Sequence, residues 1–456
     1  MNILVQKFGG TSVASPDNRA LAARKVVQAR EANFSPVVVV SAIGRAGAPY
    51  ATDTLVKVLK DIDPQVPPAS REMDMMMACG EIISTVVFAH TLQTMGFKAI
   101  ALSGGQAGII TDDSFGNARI LEIRPEYIHS LIEEGYIPVV CGFQGITDPA
   151  SASRHGSITT LGRGGSDTTA SALGVALNAV GVEIYTDVDG VKTADPNLVP
   201  KACTLDVCSY EEVAEMAHQG AKVVHPRAAE IAMDHNIPLW VKSTFSDKPG
   251  TRITNEPAVG GSAGRLTGIT HTGKMVYIRL EIEQPNHKPL VEREVYRMMA
   301  RAGINIFLVT FSPTSLSFCV PRDRYPIARD LLDGMVVPVK NEDTTGGKTG
   351  TYYIFKFSEG LDLAYSVQRP LLAAIEEHVN IVDVPASVIE SCTMISVIAA
   401  GHRRIPGMMA TIFETLAAAG IAVYQTADSE MSVSCLIPES EVDRSVRLLH
   451  KRLFEN

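Results

Sequence analysis

The chain contains 456 residues, of which 46% are hydrophobic and 20% are charged, and its net charge is −9. This length favours two or three domains at about 150 residues each, and the apolar content excludes disorder as the dominant state. An acidic chain repels phosphate backbones and anionic lipid surfaces, so neither nucleic acid nor a membrane is an expected partner. A basic pocket for one phosphorylated ligand stays compatible with this charge.

Several features favour the cytoplasm as the compartment. The seven cysteines are scattered and form no CxxC pair, which indicates reduced thiols and not a disulfide framework or a zinc site. The start, MNILVQKFGG, lacks a basic region followed by an apolar core, so a secretion signal is not expected. No apolar run approaches the roughly 20 residues that span a bilayer.

The first half of the chain alternates short apolar runs with helical stretches. Because the runs are apolar on both faces, they predict buried parallel strands. The alternation predicts an α/β domain over residues 1–253, with a doubly wound, mainly parallel sheet whose ligands lie beyond the carboxyl ends of the strands. The predicted strands are 2–8, 36–42, 97–103, 136–143, 182–188 and 237–243, and the predicted helices are 16–31, 68–95, 165–180, 210–219 and 224–235.

A boundary is expected at 254–264, which is rich in small residues, and the chain beyond it repeats itself. Residues 300–321 align without a gap on 417–438, at an offset of 117. Each copy has the pattern of a helix ending at glycine, a strand, a turn and a second strand, which predicts two small α+β modules. We assign them to 265–340 and 391–456, with 345–390 as an insertion that holds a partial β-α-β unit.

The first candidate for chemistry is a glycine-rich turn that follows the first predicted strand. It contains Lys7, Gly9, Gly10, Thr11 and Ser12, and a helix begins soon after it. Glycines let backbone N–H groups approach a phosphate closely, while the lysine adds a charge and the hydroxyls add donors. The alternative is a tight strand–helix turn with an incidental lysine.

The second candidate is the segment 159–167, TTLGRGGSD, which again opens a helix. It fails the dinucleotide pattern GxGxxG, because Asp167 stands where the third glycine would be and would repel a pyrophosphate. Arg163 offers a bidentate partner for a carboxylate, and Asp167 could align a lysine ammonium. A glycine turn with Ser166 or Asp167 as a helix cap is the simpler alternative.

Two further segments are candidates for ligand contacts, and one apparent phosphate-binding motif is excluded. Thr186, Asp187 and Asp195 lie in a strand-end segment that could contact a nucleotide, although a simple Asp-Gly turn is equally compatible. Lys222 lies between two predicted helices, where a lone lysine is most often solvated surface. The segment 346–349, GGKT, is not a P-loop, because Glu342 occupies the position of the required glycine.

Two lysines, a glycine cradle and an Arg–Asp element favour phosphoryl transfer, in which catalysis is mostly positioning and charge neutralisation. No general base accompanies them, which favours a carboxylate acceptor, because a carboxylate is already ionised at neutral pH.

Taken together, these motifs resemble the aspartate kinase family of the amino-acid kinase superfamily, and the two C-terminal modules resemble ACT domains. The resemblance covers nearly the whole chain. Its type is closest to the monofunctional, diaminopimelate-sensitive enzymes, on the strength of QTADSEMSVSCLI (425–437). The motifs are KFGGTSV (7–13), VVVVSAIGR (37–45), PYATD (49–53), CGEIIST (79–85), TLGRGGSDTTA (160–170), YTDVDGVKTADP (185–196) and GAKVVHPRA (220–228).

The resemblance implies transfer of the γ-phosphate of ATP to the β-carboxylate of L-aspartate, with magnesium held mainly by the phosphates and no protein metal site. The implied catalytic residues are Lys7, Asp167 and Lys222. Aspartate would be bound by Ser41, Thr52, Glu81, Arg163 and Ser166. The nucleotide would contact Gly9, Gly10, Thr11, Ser12, Thr186, Asp187 and Asp195.

The resemblance also implies feedback inhibition by an end-product amino acid, with meso-diaminopimelate first and lysine second. The implied effector residues are Gln425, Asp428 and Ser429, and the ACT modules imply a homodimer or larger assembly. Two alternatives stay open from the residues alone. One is a kinase for another amino-acid carboxylate, such as glutamate or N-acetylglutamate, and the other is a catalytically silent ACT-based sensor.

Overall fold

The computed structural model describes residues 1–455 except for 151–155, 222, 256–264, 283, 341–349, 358–378 and 402–404. The chain divides into two compact units. The first unit holds Met1–Ile269 and Ile398–Pro406, and the second holds Thr270–Val397 and Gly407–Asn456. Most of the segment in which we expected the boundary, 254–264, lies outside the described residues.

An eight-stranded sheet forms the centre of the first unit, in the order β10-β12-β11-β9-β1-β2-β6-β3. Its pairs are parallel except for β11 with β12. A smaller sheet has the order β5-β4-β7-β8. The strands are β1 Ile3–Phe8, β2 Ser35–Val40, β3 Ala99–Leu102, β4 Ile109–Thr111, β5 Ile120–Ile123, β6 Ile137–Cys141, β7 Gln144–Thr147, β8 Ile158–Thr160, β9 Gly181–Thr186, β10 Val207–Cys208, β11 Leu239–Ser243 and β12 Thr251–Ile253.

Apolar cores lie on both faces of the large sheet. In β2, Val37 and Val39 join one buried cluster while Val38 and Val40 join the other, as the two-residue period of a strand requires. This confirms the doubly wound α/β class. The helices of this unit are α1 Pro16–Glu31, α2 Thr52–Lys60, α3 Ser70–Thr94, α4 Glu126–Glu133, α5 Gly165–Ala176, α6 Tyr210–His218 and α7 Pro226–Asp234.

The short elements α2, α4 and β4, and the small sheet to which β4 belongs, were not predicted from the sequence. These elements span nine residues or fewer, too short for a clear hydrophobic period. We expected no apolar run long enough to span a bilayer, but α3 is long and apolar enough to do so by length and composition. However, α3 packs on β3, β6 and β8 and buries the charged side chains of Asp74 and Glu81, as a core helix does.

The second unit contains a sheet in the order β14-β15-β13-β18-β17-β16, to which β20 and β19 are added beside β18. Its strands are β13 Arg265–Glu281, β14 Phe307–Phe311, β15 Ser315–Pro321, β16 Val336–Lys340, β17 Gly350–Lys356, β18 Val379–Ala400, β19 Gln425–Asp428 and β20 Ser432–Pro438. Its helices are α8 Lys288–Arg301, α9 Tyr325–Leu332, α10 Met408–Ala418 and α11 Val442–Phe454.

The two copies of the sequence repeat fold alike. The strand β15 and its counterpart β20 are 117 residues apart and have the same burial pattern, with the first six residues buried. The preceding helix ends in both copies before a glycine in the left-handed region, Gly303 at φ 65° and Gly420 at φ 70°. In the proposed insertion, β17 pairs in parallel with the start of β18, and residues 358–378 between them lie outside the described part.

Candidate active site

The loops that follow β9, β1, β2 and β6 gather along one edge of the large sheet. Because these strands are neighbours and parallel, their carboxyl ends meet at this edge. Backbone hydrogen bonds join each loop to the next strand: Gly9 N donates to Tyr185 O at 3.3 Å, Ser41 N to Phe8 O at 3.1 Å, and Gly142 N to Val40 O at 3.0 Å. The site is therefore built on a fixed backbone edge.

Gly10 is required by a close backbone approach. A Cβ atom at this position would lie 2.5 Å from the carbonyl oxygen of Gly44 and 2.7 Å from that of Ala42. The amide of Gly44 also donates to Gly10 O at 3.0 Å, so the two loops are in direct contact. At Gly9 a Cβ would meet nothing closer than 3.7 Å, where the nearest atom is the Lys7 Nζ. The backbone of the glycine loop therefore lies in ordinary van der Waals range of the lysine ammonium.

The predicted Lys7 and Asp167 form an ion pair. Lys7 Nζ lies 2.6 Å from Asp167 Oδ1, and their side chains are 12% and 13% exposed. Lys7 is near the end of β1, and Asp167 is in the first turn of α5. An ammonium held in this way is fixed in direction and only partly solvated, which strengthens its interaction with an anion.

The turn that carries Arg163 has two glycines in the left-handed region, Gly162 at φ 74° and Gly164 at φ 69°. The His225 ring fills the space in which a side chain at Gly164 would lie, because a Cβ there would be 2.1 Å from the ring. Burial lowers the pKa of His225, and the nearby Asp167 opposes that shift. The Arg163 side chain is exposed and has no hydrogen bond or ion pair with another described residue.

Glu81 is a buried carboxyl group with one unused oxygen. Its side chain is 3% exposed, and its Oε1 accepts the backbone N–H of Ala42 at 3.0 Å. Its Oε2 is buried and has no partner among the described residues. Burial raises the pKa of Glu81 to about 8, against the lowering effect of the Ala42 hydrogen bond.

The other proposed substrate residues lie on or next to three different elements. Ser41 is the first residue after β2, next to the Ala42 that Glu81 holds, and Thr52 begins α2. Ser166 is buried in the first turn of α5, and its Oγ would lie 2.6 Å from a Cβ at Gly142. This contact packs the start of α5 against the end of β6.

The predicted nucleotide residues divide into two groups. Thr186 is the last residue of β9, and its hydroxyl donates to Asp187 Oδ1 at 3.1 Å. Asp187 also pairs with Arg45 at 2.6 Å. Because β1 lies between β9 and β2, this pair spans the end of β1. Asp195, by contrast, accepts the backbone and side-chain N–H groups of Asn197 at 2.9 and 3.0 Å and so closes its own turn.

Ser12 has a structural contact within the glycine loop. It is fully buried, and its Oγ accepts a hydrogen bond from Thr244 at 2.7 Å, which joins this loop to the one after β11. Thr11 is less buried, and its carbonyl oxygen accepts the Asn18 side chain at 2.8 Å. Lys222 lies outside the described residues, so its position relative to this site stays a prediction.

Two residues near the candidate site were given no role from the sequence. Arg45 lies in the quoted motif VVVVSAIGR but had no assigned role. Asp74 on α3 is fully buried and accepts three hydrogen bonds, from Thr160 N and Thr160 Oγ1 at 2.8 Å each and from Gly116 N at 2.9 Å. The available signal for Asp74 was its spacing of seven residues from Glu81, which places both on one helix face.

The three proposed effector residues lie on β19 and the turn after it, and they differ in burial. Gln425, 9% exposed, lines a polar cavity of about 390 Å³ in the second unit, together with Arg279, Ser315 and Ser317 among others. The Gln425 Nε2 donates to Leu308 O, and its Oε1 is buried without a partner among the described residues. Asp428 and Ser429 are exposed, and neither lines this cavity.

Comparison with known proteins identifies relatives over the whole length. Residues 2–243 match the amino acid kinase family, and residues 387–451 match an ACT domain. Aspartokinase 1 of Bacillus subtilis (strain 168) is 36% identical over 459 aligned positions, which cover 100% of this chain and 99% of that protein. The aspartokinase of Mycolicibacterium smegmatis is also 36% identical and covers 99% of this chain and 96% of its own.

A solved structure has the same fold. Aspartokinase III of E. coli, crystallised with aspartate and ADP, superimposes with a TM-score of 0.70 at 24% identity. The match covers 99% of this chain and 100% of that one.

Proposed function

The chain belongs to the amino acid kinase family and, within it, to the aspartokinases, and on that premise we propose how its residues carry out the reaction. The reaction transfers the γ-phosphate of ATP to the β-carboxylate of L-aspartate and gives ADP and 4-phospho-L-aspartate. The observation that supports our assignment of the site is the Lys7–Asp167 ion pair, which lies beside the glycine loop at the carboxyl edge of the sheet.

Lys7 neutralises the phosphoryl group during transfer. Negative charge spreads over the oxygens of that group in the transition state, and an ammonium already fixed in place stabilises it without reorganisation. Asp167 keeps the ammonium directed through the 2.6 Å contact. Lys222 is the second cation in this proposal, carried over from the motif GAKVVHPRA.

Aspartate is held by charge complementarity. The exposed guanidinium of Arg163 takes the α-carboxylate, and the unpartnered Oε2 of Glu81 takes the α-ammonium. Ser41, Thr52 and Ser166 complete the pocket through their hydroxyl groups. The β-carboxylate attacks the γ-phosphorus without a general base, because it is ionised at neutral pH.

ATP lies along the ends of β1 and β9. Backbone N–H groups of Gly10 and Thr11 approach the phosphates, Gly9 adds no side chain beside them, and Ser12 supports that loop through Thr244. Thr186 and Asp187 line the remainder of the nucleotide, with Asp195 on the outer side. In the described part of the chain, no group of three or more His, Cys, Asp or Glu side chains lies together. We therefore assign most ligands of Mg²⁺ to the phosphates and water.

The regulatory part of the proposal concerns residues 265–340 and 391–456, with the kinase domain at 1–253. The cavity beside Gln425 has the Arg279 guanidinium, which also pairs with Glu281 at 3.2 Å, for a carboxylate and the unpartnered Gln425 Oε1 for an ammonium, so a zwitterionic amino acid suits it. We propose meso-diaminopimelate as its first ligand and lysine as its second. Asp428 and Ser429 lie at the far end of β19 and would act in the adjoining turn.

The assembly and the compartment are also proposals. ACT modules that join their sheets would give a homodimer or a larger assembly. The seven cysteines are all free, which supports the cytoplasm as the compartment.

The test is an aspartyl-phosphate assay of the purified chain with a panel of acceptors. Product is measured by trapping the acyl phosphate with hydroxylamine and by ADP release. We expect product with L-aspartate and far less with L-glutamate or N-acetylglutamate. Equal rates with glutamate would remove the assignment of Arg163 and Glu81 to aspartate. Absence of ADP release with every acceptor would favour the non-catalytic sensor.

A further inference from the structure

We propose that Asp74 is a positioning residue for aspartate binding, which acts by fixing the turn that carries Arg163. This inference rests on the proposed role of Arg163 in binding aspartate. The three hydrogen bonds that Asp74 accepts among the described residues are with Thr160 and Gly116. Asp74 therefore acts on Arg163 through the backbone of the turn and not by direct contact.

The direction of the Arg163 side chain depends on the backbone of its turn. The guanidinium has no partner among the described residues that could hold it in place. Its two neighbours, Gly162 and Gly164, are in the left-handed region, where glycine has the widest conformational freedom. A turn of this composition needs support from outside itself to keep one conformation.

Asp74 provides this support at two points. Its Oδ1 and Oδ2 accept from the hydroxyl and the amide of Thr160, three residues before Arg163. Its Oδ2 also accepts from Gly116 N, and the following Asn117 packs on Gly162, where a Cβ would lie 2.8 Å from the Asn117 Oδ1.

These contacts close a junction. The amide of Ala118 donates to Thr160 O at 2.9 Å, so the loop at 116–118 and the end of β8 are joined to each other as well as to Asp74. Because Asp74 is fully buried, loss of its carboxylate would leave two N–H groups and a hydroxyl without the acceptor they have here.

The helix α3 links the two ends of the aspartate pocket. Asp74 and Glu81 are seven residues apart on one face of the helix, which corresponds to roughly 10 Å along its axis. Glu81 holds the Ala42 amide after β2, while Asp74 holds the segment before Arg163. One rigid helix therefore sets the separation between the group proposed for the ammonium and the group proposed for the α-carboxylate.

The test compares four variants by steady-state kinetics and thermal unfolding. Asp74→Asn replaces one of the two accepting oxygens by a donor, so the side chain can no longer accept all three hydrogen bonds, and Thr160→Val removes only the hydroxyl bond. Thr160→Ser keeps that hydroxyl and serves as the matched control for Thr160→Val. Glu72→Gln, on the exposed side of the same helix, controls for a charge change on α3.

We expect the KM for aspartate to rise about tenfold or more in Asp74→Asn and about threefold in Thr160→Val, with the KM for ATP within about twofold of wild type. Thr160→Ser and Glu72→Gln should match the wild type in both constants. A parallel rise in both KM values, or an unchanged KM for aspartate, would overturn the inference. If Asp74→Asn does not fold, the Thr160→Val and Thr160→Ser pair decides the result.

Arg163→Ala distinguishes this inference from the proposed function. If Arg163→Ala leaves the KM for aspartate unchanged, the proposed role of Arg163 fails and the positioning role fails with it. If Arg163→Ala raises that KM while Asp74→Asn and Thr160→Val do not, only the positioning role of Asp74 is overturned.

Discussion

At the scale of single residues, the site depends on charges whose partners are fixed by the fold. Among the described residues Lys7 is paired with Asp167, and its ammonium lies near Gly9. Glu81 has one satisfied oxygen and one without a described partner. Arg163 is exposed and unpaired among the described residues. One cation is therefore paired with a carboxylate, while the other two groups have polar atoms without a partner among the described residues.

Lys7→Ala should reduce kcat by about 10²–10³, because a fixed electrostatic contact in the transition state is worth roughly 3–4 kcal/mol. The measurement is kcat by ADP release at saturating ATP and aspartate, with circular dichroism to confirm the fold. Lys98→Ala is the control, since Lys98 is exposed over the Tyr136 ring and outside the site. Near-normal turnover of a well-folded Lys7→Ala protein would remove the central assignment.

The affinity for aspartate should increase as the pH rises from 7 to 9. Burial raises the pKa of Glu81 to about 8, so the free site is mostly protonated at pH 7 and must lose a proton to bind an ammonium. The KM for aspartate at pH 7 should be about tenfold above that at pH 9. The neighbouring Cys141 does not titrate in this range, since burial raises its pKa to about 12.

The variant Glu81→Gln tests whether the pH dependence of the KM for aspartate comes from Glu81. The variant should bind aspartate more weakly and lose the dependence of KM on pH between 7 and 9. Calorimetry of aspartate binding at pH 7 in two buffers of different ionisation enthalpy should show proton release from the wild type alone. A pH profile that is the same in both proteins would contradict the assignment of Glu81.

At the scale of elements, the long strands and helices of the first unit could be predicted from their hydrophobic pattern. The continuous valines of β2 predicted burial on both faces, and the structure confirms it. The glycine loop and the Lys7–Asp167 pair were predictable because each follows or opens a regular element. The 117-residue repeat predicted two modules, and β15 and β20 have matching burial.

What the sequence could not indicate depends on contacts between distant segments. Asp74 meets Thr160 across 86 positions of the chain, and Ser12 meets Thr244 across 232. A pattern read locally has no information on such pairs. It placed Ser12 among the phosphate donors and gave Asp74 no role, although both are buried polar groups that join two loops. The short elements α2 and α4 were missed for a different reason, since two turns of helix give too few periods.

Gly10→Ala should destabilise the glycine loop, whereas Gly9→Ala should not. A Cβ at position 10 would meet two carbonyl oxygens at 2.5 and 2.7 Å, so the backbone of one loop must shift, while a Cβ at position 9 has ordinary contacts. Overpacking of this kind costs about 1–3 kcal/mol. The measurement is the urea midpoint of both variants. Equal midpoints would contradict the close approach between the loops.

At the scale of the whole molecule, each unit has its own sheet and its own core. The first unit holds every described residue that we assign to the reaction. The second holds the polar cavity beside Gln425 and most of the ACT match at 387–451, of which residues 398–406 belong to the first unit. Control of the reaction by an amino acid then requires that the ligand prefers one arrangement of the chain over another.

The last prediction concerns that control. We expect meso-diaminopimelate, and lysine more weakly, to inhibit the full-length enzyme, with a coupling of about 1–3 kcal/mol between the effector and the substrates. Gln425→Ala should raise the inhibitory concentration about tenfold, because it removes the buried Oε1 that would accept the effector ammonium. Uninhibited kcat should be retained, since Gln425 is in the second unit. Asp428→Asn, exposed and outside the cavity, should change inhibition less. The measurements are inhibition curves for both amino acids and light scattering with and without effector. An intact enzyme that responds to no amino acid of this group would remove the regulatory proposal and leave the kinase assignment in place.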